Sequence, residues 1–119
     1  IYVEDIARGL MLCAARGTEA GVYNLASGVE TSIRELAELI VEMTSSTAPL
    51  EAVAPRTWDR SGKRYGSTEK SDQEIGFSAA VDIRAGLERT IAWTRENLSV
   101  IETCIDRHAV NLAACNAEI

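Results

Sequence analysis

The stretch Gly21 to Ile40, "GVYNLASGVETSIRELAELI", decides how the chain is read. Its first part, "GVYNLASG", is a short apolar run bounded by glycines, the pattern of a buried strand around Val22 to Ala26. Its second part opens with Ser32 and carries Glu35 three residues later, a capping-box pattern. Ile33, Leu36, Ala37, Ile40 and Val41 then recur at helical spacing, so the segment predicts a strand followed by a capped helix. A strand and a helix in direct succession point to a layered α/β arrangement.

Upstream, "IYV" at Ile1 to Val3 reads as the end of another strand, and "EDIARGLMLCAARG" follows as a helix. Ile6, Leu10, Cys13 and Ala14 share one face of it, Glu4 and Asp5 sit at its positive end, and Gly17 is placed to close it in a left-handed conformation. Downstream, "TSSTAP" ends the capped helix and "LEAVA" alternates like a short strand. A short helix is expected near Thr68, stopped at Gly76. Another runs from Asp82 through Ile83, Leu87, Ile91 and Thr94, with Gly86 leaving room for a close neighbour. Ser99 and Glu102 form a second capping-box pattern, and Ile101, Ile105, His108, Leu112 and Cys115 line one stripe of a tail helix. The fold class is α/β with helix in excess.

The 119 residues suit one domain, and 46% hydrophobic with 25% charged residues and two prolines is a globular composition. The net charge of −6 argues against a nucleic-acid binder, since phosphate affinity rests on a basic surface. No apolar run approaches the roughly 18 residues of a membrane helix, and no signal peptide opens the chain, so the expected location is the cytoplasm. Cys13, Cys104 and Cys115 have no metal-ligand spacing, and all three read as small core residues. On a helix Cys104 and Cys115 would stand about 16 Å apart, too far to bridge. His108, the only histidine, reads as a packing or surface residue.

The charge is unevenly spread. Between Pro55 and Arg64, "PRTWDRSGKR", Arg56, Arg60, Lys63 and Arg64 face the single acid Asp59, a local +3 in a chain whose remainder carries −9. A solvated basic loop is the plain interpretation. Trp58 and Tyr65 interleave with the cations, however, and a loop lets several arginines converge on one small anion. Arginine's planar fork donates bidentately to phosphate, so Arg56 and Arg64 are stronger candidates than Lys63. Tyr65 and Lys70 stand five residues apart with Gly66 between, which does not put them on one helical face as a tyrosine base and its lysine. The sequence contains no glycine-rich phosphate loop and no histidine pair.

Four blocks, "IYVEDIARGL", "GVYNLASGVETSIRELAELI", "PR" leading to "YGSTEKSDQEIGF", and "VDIRAGLERTIAWTRENL", resemble in order the C-terminal third of the extended short-chain dehydrogenase/reductase family. They are most similar to its NAD-dependent nucleotide-sugar epimerases (isomerases) and dehydratases. The resemblance runs from Ile1 to Leu98 and implies the substrate-binding subdomain of that family, with residues 99–119 as a helical extension packed on the same domain or on a second copy. It implies that Arg56 contacts the diphosphate of a sugar nucleotide, and that Arg64 occupies a second basic position found in some members. Trp58 and Tyr65 join them as substrate-binding candidates. Lys70, Ile75, Gly76 and Phe77 match the family block "[D/S/T]-x-x-K-x-x-x-x-[L/I]-G-[W/F]".

The family's glycine-rich NAD loop and its Tyr-x-x-x-Lys set have no match here. The chain therefore looks like a fragment, expected to hold no cofactor of its own although the parent family uses NAD, and to be catalytically inert alone. The competing expectation is a self-associating structural module without a ligand, a homo-oligomer formed by dimerisation or by strand and helix exchange, with helix Ile33 to Val41 and the tail stripe as its contacts. A third is that the chain completes an enzyme by docking on a separate N-terminal half.

Overall fold

In the computed structural model, which describes residues 1–54 and 65–111, five helices follow one another: α1 (Val3–Arg16), α2 (Ile33–Thr44), α3 (Glu69–Ile75), α4 (Ile83–Glu96) and α5 (Leu98–Arg107). Helix α1 packs beside α3, and α2 beside α4, which also touches α5. The helix-rich expectation holds, but the described residues contain no strand.

The three expected strands fail for one physical reason: an extended segment becomes a strand only when a neighbour about 4.8 Å away completes its hydrogen-bond ladder. Val22 to Ala26 is satisfied by side chains instead, with Lys70 Nζ donating to Val22 O at 3.1 Å and Ser71 Oγ to Asn24 O at 2.8 Å. Tyr2 is extended but caps α1, which begins at Val3. Residues 50–54 are irregular and exposed.

Helix α2 begins as its sequence requires. Ser32 Oγ accepts from the Glu35 amide at 3.1 Å, and the Ser32 amide donates to Glu35 Oε2 at 2.7 Å, which satisfies two otherwise free donors. These contacts hold the Glu35 carboxyl below the usual carboxylate range. Asp82 caps α4 in the same manner, accepting from Ala85 N at 2.8 Å.

Helix α1 turns inward a face that only partly coincides with the one its apolar residues mark, with Ile6 and Cys13 half-buried. Asp5 and Gly9 are buried, whereas Leu10 is exposed. The cause is Gly9: a Cβ there would lie 2.8 Å from both Leu25 methyls and 2.9 Å from Phe77 Cε2, so the side-chain-free position admits both. Gly17 also departs from expectation. Its φ of −63° and ψ of 147° are extended, and what demands glycine is the Cys13 carbonyl, 2.4 Å from where a Cβ would stand.

Ile75 and Phe77, fully buried, centre the core. Gly76 between them closes α3 at φ 69°, and the Gly76 and Phe77 amides turn back to the carbonyls of Asp72 and Ser71, each at 3.0 Å. Arg16 donates to Ile75 O at 3.3 Å, and the Arg8 guanidinium lies 5.2 Å from the Phe77 ring centre. Gly86 on α4 has Tyr2 as its close neighbour, 3.4 Å from a Cβ position.

Ser99 does not cap the tail helix. Asn97 breaks the path at φ −116°, its amide bonding back to Trp93 O, and the chain is helical again from Leu98, which places Ser99 inside the first turn. Cys104 is exposed rather than part of a core, Cys13 is half-buried, and Cys115 lies outside the described residues. His108 is exposed at the end of α5.

Candidate substrate-binding site

Of the four substrate-binding candidates, Arg56, Trp58 and Arg64 lie outside the described residues, and Tyr65 is the one with a described position. Its ring is 63% exposed, and its hydroxyl donates to Gly28 O at 3.0 Å. Gly28, at φ 73°, turns the backbone so that this carbonyl faces the tyrosine. Between the two runs a depression of about 190 Å³, walled by Leu25 to Val29 on one side and Tyr65 and Gly66 on the other.

Two contacts seat this wall. The Asn24 side chain donates to Ser67 O at 3.0 Å, and the buried Ser71 hydroxyl donates to Asn24 O, with Thr68 O also 2.8 Å away. Lys70 and Tyr23 fasten the following helix. The ammonium lies 4.9 Å from the Tyr23 ring centre, and the Tyr23 hydroxyl accepts from Thr18 N and donates to Glu74 Oε2, both at 3.0 Å. Lys70 and Tyr65 thus have separate partners and do not form an acid–base pair.

A second, wider groove of about 660 Å³ lies where the start of α1 meets α4, with Tyr2, Val29, Leu36, Val81 and Leu87 in its lining. Behind it, Asp5 holds two of its lining residues, Ala80 and Val81. This carboxylate, 2% exposed, accepts from Ala80 N and Val81 N and from Arg8 Nη2 at 2.8 Å. Arg8 also donates to Ser78 O. The Arg8 guanidinium and the two backbone amides pull the Asp5 carboxyl down to about 2. The Ala80 and Val81 amides and Arg8 Nη2 all converge on the Asp5 carboxylate, so the arrangement is a structural clasp. Sequence reading missed it because the acid looks like an ordinary first-turn residue. Asn24 and Ser71 were missed because their partners stand more than forty residues away.

Among the described residues no group of three or more His, Cys, Asp and Glu side chains could hold a metal, and no helix is long and apolar enough to cross a membrane.

No family model matches the chain. Individual proteins do. The dTDP-glucose 4,6-dehydratase of Streptomyces griseus is 33% identical over 103 residues, spanning 83% of this chain and 30% of that one. The UDP-glucose 4-epimerase of Corynebacterium glutamicum is 34% identical over 98 residues. Among solved structures, the Bordetella bronchiseptica enzyme WbmF in complex with NAD+ and UDP superposes with a TM-score of 0.80 at 54% identity, covering 96% of this chain and 34% of that chain. The chain belongs to the extended short-chain dehydrogenase/reductase family. It corresponds to a C-terminal region of these enzymes and spans about a third of the length of the relatives it matches. Epimerase Mth375 of Methanothermobacter thermautotrophicus, with a TM-score of 0.81 at 35% identity over 85% of the chain, has the same helical arrangement.

Proposed function

We propose that this short-chain dehydrogenase/reductase region forms part of the sugar-nucleotide site of a cytoplasmic NAD-dependent epimerase or dehydratase. Arg56 and Arg64 grip the diphosphate as bidentate forks, and Trp58 and Tyr65 line the space beside it. The observation that carries this reading is the 54% identity to WbmF, a protein solved with NAD+ and UDP. The local +3 between Pro55 and Arg64 supports it, because a doubly charged diphosphate suits clustered guanidinium groups. In this reading the region's part in the reaction is to grip the substrate, while hydride transfer is the work of a cofactor loop and a Tyr-x-x-x-Lys set that these 119 residues do not contain.

Calorimetric titration of the purified chain with UDP-glucose tests this. Saturable heat that Arg56→Ala abolishes is the expected result. Heat that persists unchanged in Arg56→Ala removes the assigned role of the arginine, and no heat at any concentration removes binding by this region alone.

A second reading, self-association, is favoured by the apolar residues left uncovered. Ile33 on α2 is 82% exposed, and Leu98, Val100 and Ile105 on α5 are each about half exposed. Light scattering across a wide concentration range tests it: a dimer is expected, and a monomer throughout overturns it. Residues 99–119 belong to this reading as an extension that packs on α4 or on a second copy.

A further inference from the structure

Asn24 holds the segment that carries Tyr65 in three ways. Its side-chain amide donates to Ser67 O at 3.0 Å. Its backbone carbonyl accepts from Ser71 Oγ at 2.8 Å, and Ser71 is 1% exposed. Between these points Gly66 passes over the amide itself, since a Cβ on Gly66 would stand 3.6 Å from Asn24 Cγ and Nδ2. Tyr65 then reaches Gly28, four residues beyond Asn24, through its hydroxyl.

An asparagine that served only its own turn would bond a backbone group about two residues away. This one reaches 43 residues along the chain. The contact also demands a donor at this length: aspartate has the same shape but only acceptors when ionised, and alanine offers nothing. Because the next residue but one before Ser67 is Tyr65, the amide sets where that ring stands over the depression beside Gly28.

We propose that Asn24 is a positioning residue for Tyr65, fixing the tyrosine as one wall of the ligand-binding depression. Its consequence for affinity rests on the sugar-nucleotide reading above. Its consequence for the ring does not.

The test uses the whole 119-residue chain with labelled tyrosines, in which Tyr2, Tyr23 and Tyr65 give three sets of ring signals. In Asn24→Ala and Asn24→Asp the Tyr65 signals are expected to move while those of Tyr2 stay. UDP dissociation constants are expected to rise about five- to tenfold, the scale of one lost hydrogen bond. Tyr65→Phe is expected to weaken UDP similarly without touching the Asn24 contacts. Unmoved Tyr65 signals in both Asn24 variants overturn the proposal whatever UDP does, because a purely structural asparagine would change only the melting temperature. Moved signals with unaltered UDP affinity overturn its link to the ligand. If the unaltered chain binds no UDP yet the signals move, the sugar-nucleotide reading fails and the placement of Tyr65 stands. Should Asn24→Ala not fold, the isosteric Asn24→Asp decides alone.

Discussion

The carboxylate of Asp5 accepts the backbone amide of Ala80 through both of its oxygens, at 3.0 and 3.1 Å, and so ties the first turn of α1 to the segment that leads into α4. The bond joins residues 75 apart in sequence. It makes this part of the fold depend on one ionised group.

That dependence has a pH signature. The Asp5 carboxyl titrates at about 2 in the folded chain, against about 3.9 when unfolded. A depressed carboxylate stabilises fully above its unfolded value and loses that contribution as pH falls through the folded one. The clasp is therefore expected to weaken between about pH 4 and pH 2, seen as acid unfolding by circular dichroism. In Asp5→Asn the melting temperature at pH 7 should be lower and this part of the acid transition should disappear. An unchanged acid midpoint would count against the clasp.

Two buried helical glycines are expected to respond oppositely to a methyl group or more. At Gly9, Leu25 and Phe77 already occupy the space, so Gly9→Val should cost about 1–3 kcal/mol through overpacking. At Gly86 the nearest atom, of Tyr2, is at ordinary contact distance, so Gly86→Ala should be neutral or stabilise by up to about 1 kcal/mol through helix propensity. Urea unfolding of the two variants measures the contrast.

Ser32→Ala removes the hydroxyl that accepts the Glu35 amide. The expected loss is about 1 kcal/mol, typical of a helix cap, with the helical signal otherwise retained. Chemical denaturation monitored by circular dichroism checks it, and a variant as stable as the parent would show that the start of α2 is held by packing alone.

The two described thiols should differ in access. Cys104 is exposed on α5 and Cys13 half-buried on α1. A thiol reagent followed by peptide mass mapping is expected to modify Cys104 first under native conditions. Modification of Cys13 at the same rate would mean that α1 opens readily or that Cys104 is covered by a second copy.

Much of this molecule was legible in order along the chain. The capping box at Ser32 and Glu35, the stop at Gly76 and the start at Asp82 each involve residues within four positions of one another, and local hydrogen bonding alone dictates them. The four family blocks were legible for the same reason: they are contiguous words. What tertiary structure decided involves partners far apart in sequence. Whether Val22 to Ala26 became a strand depended on a neighbour to pair with, and in these residues Lys70 and Ser71 took its carbonyls. Which face of α1 turned inward depended on Phe77 arriving at Gly9, so the buried face is rotated from the apolar stripe, leaving Ile6 and Cys13 half-buried and Leu10 and Ala14 exposed. Residue types and spacings determined where helices start and stop; the buried face, the Asp5 clasp and the seat of Tyr65 were decided by contacts that exist only once distant segments have met.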